Sequence, residues 1–293
     1  MATVFHKLIR FIDSLPILNR LLAFLLSMPY VLTLRRKRFA LSYYREKLNL
    51  IPIWARKKTE NFNFYYELTE HNFSDLAWTV SAVCGIPYEK IMGYMLELKN
   101  DSKIREHISN IWQNDPSMGD AEIGFGRRYG WYAFTRALKP KIVVETGVHQ
   151  GVGAVVICAA LERNLEEGFG GKYFGTDIDL EAGSLLTNEY ARFGQILYGD
   201  SLKSLEKMTQ NIDIFINDSD HSKSYEALEY ECVKDRLTQN SVILGDNSHV
   251  SEKLSEFSSA NNRKYLFFRE NPIGHWYPGG GIGISIGKLP LLN

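Results

Sequence analysis

Short apolar segments alternate with amphipathic segments from about residue 118 to the end of the chain. The apolar segments have the length and the branched or aromatic residues of β-strands. The predicted strands are Lys141–Glu145, Tyr173–Thr176, Ile196–Tyr198, Ile212–Ile216, Ser241–Leu244, Lys264–Phe268 and Ile282–Ile286. The predicted helices are Arg127–Ala137, Ala154–Arg163, Glu181–Phe193, Leu202–Met208, Tyr225–Arg236 and Val250–Ser259. This alternation predicts an α/β fold with a mostly parallel, doubly wound sheet, and the final pair of strands predicts an antiparallel hairpin at its edge.

Residues 61–117 have helical spacing and no strand pattern. We predict helices at Asp75–Val83, with Ser74 as N-cap, at Tyr88–Leu98 and at Ser102–Trp112. An aromatic cluster lies before these helices, and we interpret it as core: Phe62, Phe64, Tyr65 and Tyr66. The change of pattern sets a boundary near Met118, so that a helical region at 61–117 precedes a domain at 118–293.

The charge of the chain is unevenly distributed. The 293 residues contain 34 Lys and Arg against 34 Asp and Glu, and 45% are hydrophobic, which excludes a disordered or collagen-like chain. Residues 1–60 contain twelve basic and three acidic residues, so a basic arm precedes an acidic body. An acidic body argues against nucleic acid as a partner.

The basic arm contains an apolar stretch, Leu15–Leu34, followed directly by Arg35-Arg36-Lys37-Arg38. Arg20, Pro16 and Pro29 disfavour a transmembrane helix, and the basic run is a poor signal-peptide cleavage site. Two interpretations stay open. In the first, the arm is an interfacial helix on anionic lipid, with Phe5, Leu8, Ile9 and Ile12 on one face. In the second, the helix packs on its own domain, or on a second copy of the chain in a homo-oligomer.

The three cysteines, Cys84, Cys158 and Cys232, are far apart and form no CxxC motif. This spacing excludes a zinc knuckle and predicts reduced thiols in the core. We therefore expect a cytoplasmic protein, peripheral on the inner face of the membrane if the arm binds lipid.

Polar residues follow the predicted strands, at the edge of the sheet where open α/β folds bind ligands. The first strand leads into Glu145-Thr146-Gly147-Val148-His149-Gln150-Gly151-Val152-Gly153, where glycines permit a tight turn toward a ligand. The stretch is not GxGxxG, which argues against NAD-dependent and nucleotide-sugar enzymes, and alone it is more typical of an ordinary loop than of a binding site. Asp177 follows the second strand, where a carboxylate accepts hydrogen bonds from ribose hydroxyls. Asp200 and Ser201 follow the third and offer a polar contact for an adenine edge, or an N-cap.

The fourth and fifth strands end in Asn217-Asp218-Ser219-Asp220-His221 and Gly245-Asp246-Asn247. Carboxylate and amide oxygens are suitable ligands for magnesium, so Asp218, Asp246 and Asn247 are candidate metal ligands. His221 lies three residues after Asp218 and is a candidate general base. A polar turn that caps the next helix is the structural alternative.

From about Gly124 to Ile286 these motifs resemble the class I S-adenosylmethionine-dependent methyltransferases. The chain is similar to the metal-dependent small-molecule O-methyltransferases, including the catechol and caffeoyl-CoA enzymes, and looks closest to bacterial sugar and macrolide-sugar O-methyltransferases. The resemblance implies a Rossmann-like, seven-stranded sheet whose last strand is antiparallel. It also implies S-adenosylmethionine, a divalent cation such as Mg²⁺, and a small-molecule acceptor with a sugar or glycan hydroxyl.

The resemblance assigns roles to individual residues. It places Glu145, Gly147 and Gly151 at the methionine part of the cofactor, Asp177 at the ribose, and Asp200 with Ser201 at the adenine. Ile123 and Gly124 resemble the segment that covers the cofactor in the catechol enzymes. Asp218, Asp246 and Asn247 match metal ligands, and His221 matches the base of the D-x-x-H stretch in the sugar-modifying enzymes.

The chain also departs from the family pattern. His149 stands where many class I enzymes have glycine, and Asp246-Asn247 stands where sugar-type relatives often have Glu-Asp. The loop at 269–281, with His275, Trp276 and Tyr277, is either an acceptor wall or a long hairpin turn. A metal-independent methyltransferase and a non-catalytic scaffold protein are the alternative functions, and lipid-linked glycans and natural-product sugars are equally compatible acceptors.

Overall fold

A computed structural model describes residues 20, 24–25, 27–57, 64–114 and 123–288. The chain divides into two compact units, at residues 1–56 and 57–293. In the first unit, helix α1 (Pro29–Trp54) begins at a proline, and none of its residues is buried. Within the described ranges, no helix combines the length and apolarity needed to cross a bilayer. The predicted helical face at residues 5–12 lies outside the described residues.

The second unit contains one seven-stranded sheet. Its strands are β1 (Ile142–Thr146), β2 (Lys172–Asp177), β3 (Gly194–Tyr198), β4 (Ile212–Asn217), β5 (Leu237–Asp246), β6 (Lys264–Phe268) and β7 (Ile282–Ile286). They are arranged in the order β3-β2-β1-β4-β5-β7-β6. The first five strands are parallel, while β7 is antiparallel to both β5 and β6. The predicted α/β sheet with its antiparallel last strand is thus confirmed.

The helices of the second unit cover both faces of the sheet. They are α2 (Glu70–Cys84), α3 (Tyr88–Lys99), α4 (Ser102–Asn114), α5 (Arg128–Leu138), α6 (Val152–Glu166), α7 (Ser201–Lys207), α8 (Lys223–Val233) and α9 (Lys253–Ala260). Side chains alternate along the strands, so that Val143 joins the core beneath α5 and α6 while Val144 joins the core beneath α7 to α9. Residues 64–114 share the first of these cores, so the helical region belongs to the same compact unit as the sheet.

Two local predictions were wrong. Ser74 lies inside α2, because the helix begins four residues earlier, where the Thr69 side chain accepts a hydrogen bond from Asn72 N. The helix predicted at 181–193 is replaced by turns and one 3₁₀ turn at Tyr190–Arg192. There, Gly183 N and Leu185 N donate to the carbonyls of His149 and Gln150, so their backbone hydrogen bonds join the glycine-rich loop instead of a helix.

The buried aromatic and thiol side chains follow the predictions in most positions. Tyr65 and Tyr66 are buried in the core, whereas Phe64 is 41% exposed and Phe62 lies outside the described residues. All three thiols are free; Cys84 and Cys158 are buried, and Cys232 is partly buried.

Candidate active site

Two adjoining cavities open at the carboxyl ends of the parallel strands. The first cavity, of about 550 Å³, is lined by residues after β1, β2, β3 and β4, including Gly147, Asp177 and Asp200. The second cavity, of about 210 Å³, extends from Glu145 and Gly151 to Asp246, at the end of β5. Both cavities share Gly147, His149 and Asp218 in their linings, so a ligand in the first can reach a ligand in the second.

The glycine-rich loop after β1 forms the junction between the cavities. Gly147 has a φ of +81°, and a Cβ there would lie 2.0 Å from the Asp218 carbonyl oxygen. Glycine therefore permits the ends of β1 and β4 to approach each other. Gly151 (φ +97°) is the N-cap of α6, and His149 also has a positive φ, of +50°. A positive φ at residue 149 explains why glycine suits this position in similar loops.

Asp177 lies at the end of β2 and organises the loop around it. Its Oδ2 accepts a hydrogen bond from His149 N (2.8 Å), and its Oδ1 accepts one from Asp179 N (2.9 Å). A carboxylate offers about four acceptor positions, so both oxygens retain capacity for the hydroxyls of a ligand in the first cavity. The nearby Asp179 caps no helix; its Oδ1 accepts from Glu181 N (3.0 Å) in a turn.

Asp200 and Ser201 line the first cavity at the start of α7. Asp200 is the N-cap of that helix, and its Oδ1 accepts a hydrogen bond from Lys203 N (3.0 Å). This agrees with the N-cap that the sequence analysis gave as the alternative to an adenine contact. Ser201 Oγ is hydrogen-bonded to Tyr225 (2.9 Å) and donates to the buried carboxylate of Glu229. The pair thus has a structural role, and it also faces the cavity.

Glu229 on α8 accepts hydrogen bonds from four side chains next to the first cavity. Besides Ser201, its carboxylate accepts from Thr146 Oγ1 (3.1 Å), from Ser219 Oγ (2.7 Å) and from the Asn217 amide. Glu229 has no solvent exposure, and burial raises its pKa although the hydrogen bonds lower it. A single buried carboxylate therefore fixes the ends of β1 and β4 and the start of α7.

Glu145 lies at the base of the second cavity, next to the glycine-rich loop. It is 2% exposed and accepts a hydrogen bond from Tyr173 OH (2.5 Å). Burial raises the pKa of Glu145 to about 7. Glu145, Gly147 and Gly151 all line this cavity, and their contact with the methionine part of a cofactor stays a prediction.

Asp218, His221, Asp246 and Asn247 also come together in the second cavity. His221 Nε2 lies 3.8 Å from Asp218 Oδ1 and 3.2 Å from Asn247 Nδ2, which also donates to Asp246 Oδ2 (2.8 Å). Asp218, His221 and Asp246 bring ligand atoms within 4.8 Å of one another. The imidazole is 38% exposed and faces the cavity, as a general base requires.

Arg127, the residue before α5, is an unpredicted member of this cluster. Its Nη2 donates to Asp246 Oδ2 (2.9 Å), its Nε pairs with Asp246 Oδ1, and its Nη2 lies 3.7 Å from Asp218 Oδ2. Burial lowers the pKa of Arg127, but the two carboxylates outweigh burial and raise it above its ordinary value. Burial and Asp246 raise the pKa of Asp218, and Arg127 opposes them.

The carboxylate and amide groups of this cluster are suitable ligands for a hard cation, but the carboxylates of Asp218 and Asp246 already contact the Arg127 guanidinium. Both oxygens of Asp246 face Arg127, and Oδ2 also accepts from Asn247. A divalent ion at Asp246 would therefore have to displace the Arg127 guanidinium from these oxygens, or bind beside it against the repulsion of its positive charge. The residues in this arrangement do not fit a bound divalent ion, and Mg²⁺ stays a prediction.

The loop between β6 and β7 closes one side of the second cavity. Tyr277 lines the cavity, while His275 is buried, and each ring centroid lies 5.8 Å from that of Tyr66. Glu270 anchors both ends of the loop by accepting from Tyr66 OH (2.8 Å) and Gly281 N (2.8 Å). Of the two interpretations of this loop, the position of Tyr277 favours a wall.

Ile123 and Gly124 lie apart from the other predicted residues. They line a third cavity, of about 370 Å³, with Tyr66, Arg105 and His275 among its other lining residues. Gly124 N donates to Tyr65 O (3.1 Å), and Ile123 O accepts from Arg105 Nη1 (2.6 Å). Contact of Ile123 and Gly124 with a cofactor stays a prediction.

Comparisons with known proteins agree with this fold. Residues 144–248 match a family model described as a methyltransferase domain. The chain is similar to a putative O-methyltransferase from Klebsiella pneumoniae (TM-score 0.52, 10% identity, 66% of this chain and 94% of that one). It is also similar to an O-methyltransferase from Bacillus cereus in complex with SAH (TM-score 0.50, 15% identity, 74% and 99%). These structural likenesses show a shared fold, and no curated protein sequence matches the chain.

Proposed function

We propose that this chain, which carries a class I S-adenosylmethionine-dependent methyltransferase domain, transfers a methyl group to a hydroxyl oxygen of a small molecule. The observation that carries the proposal is the junction of the two cavities. A ribose-type carboxylate, Asp177, lines the first, an exposed imidazole, His221, lines the second, and Gly147 and Asp218 lie between them.

The residues of the first cavity fit S-adenosylmethionine. Its volume of about 550 Å³ is in the usual range for a small-molecule site. Asp177 retains acceptor capacity for ribose hydroxyls, Asp200 and Ser201 face the adenine end, and Gly147 opens the passage toward Glu145. When bound, the cofactor supplies an electrophilic methyl group on sulfur.

His221 accepts the proton of the acceptor hydroxyl as the oxygen attacks the methyl carbon. The new bond is O–CH₃, the broken bond is S–CH₃, and the products are the methyl ether and S-adenosylhomocysteine. Asp218, 3.8 Å from Nε2, stabilises the imidazolium that forms. The chain otherwise contributes orientation of the two reactants at the shared wall.

The acceptor we propose is a sugar or glycan-type molecule. Polar and aromatic side chains occur together in the second cavity: Arg128, His221 and Asn247 with Phe64, Tyr65 and Tyr277. This combination suits a polyhydroxylated ring, which offers hydroxyl groups to polar side chains and an apolar face to aromatic ones.

The first experiment is calorimetric titration of S-adenosylhomocysteine into the purified protein, followed by a screen of sugar acceptors for S-adenosylhomocysteine release. We expect micromolar binding, and we expect His221→Ala to abolish turnover while cofactor affinity stays nearly unchanged. The matched control is His71→Ala, because the His71 side chain is 90% exposed on α2. If His221→Ala turns over normally, His221 is not the base. If the protein does not bind S-adenosylhomocysteine, the proposed methyltransferase function is refuted.

We also propose that the first unit binds an anionic membrane surface. Arg35, Arg36, Lys37 and Arg38 are exposed on α1, together with the apolar side chains of Leu34, Phe39 and Leu41. Each Lys or Arg near such a surface contributes about 1 kcal/mol. In sedimentation with phosphatidylglycerol vesicles, replacing the four basic residues by Gln should weaken binding by about 4 kcal/mol, or about a thousandfold. Equal binding of both proteins, or binding to neutral phosphatidylcholine vesicles, refutes the proposal.

A further inference from the structure

We infer that the Arg127 guanidinium takes the place of a divalent ion at the ends of β4 and β5, so that the acceptor is bound and oriented without a metal. The inference rests on the proposed function, because it concerns the acceptor half of the same site. Arg127 is then a positioning residue that holds Asp218 and Asp246 in place beside His221.

The Arg127 side chain is buried and packed inside the protein, and it does not lie over an open site. Its side chain is 7% exposed, and its Cζ lies 5.8 Å from the ring centroid of Trp131. The residue before it, Gly126, has a φ of +49°, and a Cβ there would lie 2.8 Å from the Tyr66 ring and 3.1 Å from Glu270 Oε1. Close packing at Gly126 therefore fixes the backbone from which the guanidinium extends.

The contacts of Arg127 use the atoms that a metal ion would need. Asp246 is 1% exposed at its side chain, and each of its oxygens faces a nitrogen of Arg127. Asp218 Oδ2 lies 3.7 Å from the same guanidinium, while Asp218 Oδ1 faces His221. The guanidinium thus bridges the two strand ends, as a coordinated cation would, but through one hydrogen bond to Asp246 and through charge.

The test is titration of Mn²⁺, followed by electron paramagnetic resonance, into the wild-type protein and into Arg127→Gln. We expect no site-bound Mn²⁺ in the wild type at millimolar concentration. We expect one bound ion in Arg127→Gln, which leaves the two carboxylates without their guanidinium, and loss of that ion in Arg127→Gln/Asp218→Ala. Arg163→Ala, which removes a half-exposed arginine, is the matched control and should behave as the wild type.

One stoichiometric Mn²⁺ in the wild type, lost in Asp218→Ala, overturns the inference. The wild-type titration decides the question even if Arg127→Gln does not fold. The measurement needs no acceptor, so it tests this inference separately from the proposed function. If the protein binds both S-adenosylhomocysteine and Mn²⁺, the proposed function stands and this inference is wrong. Once an acceptor is known, turnover should be unchanged by EDTA, and turnover lost in EDTA and restored by Mg²⁺ contradicts it.

Discussion

Replacing Gly147 by alanine should damage both the stability of the protein and its site. The added Cβ would lie 2.0 Å from the Asp218 carbonyl oxygen, far inside van der Waals contact, and both partners are backbone at the ends of β1 and β4. The positive φ of +81° adds strain for any residue with a Cβ. Backbone strain costs about 1–3 kcal/mol and overpacking a further 1–3 kcal/mol, so we expect a loss of about 2–6 kcal/mol in the free energy of unfolding.

Two other glycines allow the strain and the collision to be separated. Gly168 has a φ of +90° with open space around its Cβ position, so Gly168→Ala should show only the strain, about 1–3 kcal/mol. Gly93 lies inside α3 with open space and no positive φ, so Gly93→Ala should be neutral or stabilising by up to about 1 kcal/mol. The difference between Gly147→Ala and Gly168→Ala then measures the collision with Asp218.

The assay is urea unfolding followed by tryptophan fluorescence, with calorimetric titration of S-adenosylhomocysteine on the folded variants. To relieve the contact, Asp218 must move by about 1 Å, a displacement that can reduce turnover about a hundredfold. If Gly147→Ala is no less stable than Gly168→Ala, the close approach of β1 and β4 at this position is wrong.

Three further predictions concern carboxylates of the site. Burial raises the pKa of Glu145 from its ordinary value of 4.5 to about 7 in the folded protein. The free energy of unfolding should therefore fall by about 3 kcal/mol as the pH rises from 4.5 to about 7, because the carboxyl group ionises more readily in the unfolded chain. In thermal unfolding, Glu145→Gln should remove that part of the pH dependence. Glu229→Ala leaves the donors of four side chains without their acceptor and should destabilise the protein by about 3 kcal/mol or more. The control is Glu231→Ala, at an exposed position of α8, which should change stability by less than about 0.5 kcal/mol. Asp177→Ala should weaken S-adenosylhomocysteine binding about tenfold to a hundredfold by calorimetry, the value of charged hydrogen bonds to ribose, and unchanged affinity would contradict its assignment.

The strands and most residues of the site could be predicted because both depend on local sequence. Each parallel strand is a short apolar run, and its ligand-facing residues come directly after it, so Glu145, Asp177 and Asp218 could be identified from position alone. The same logic applied to Asp246, at the end of β5.

The remaining parts of the site depend on contacts that are distant along the chain. Arg127 pairs with Asp246, 119 residues away, and looks in the sequence like one more polar residue at the start of a helix. Glu229 lies on α8 among other charged residues, and only the packing of α8 shows that it is buried. The segment at 181–193 has a helical composition, but hydrogen bonds to His149 and Gln150 outweigh that local preference.

The position of β7 between β5 and β6 has a consequence for folding during synthesis. The strands that carry Glu145 and Asp177, and the strand that precedes Asp218, are complete by residue 217, whereas Asp246 pairs with Ile282 across β5 and β7. A growing chain can therefore form the part of the sheet that lines the first cavity while β5 still presents an unpaired edge to the solvent. Such an edge is prone to pair with other chains, so the interval between the synthesis of residues 246 and 286 is the stage at which the nascent protein is most exposed to aggregation.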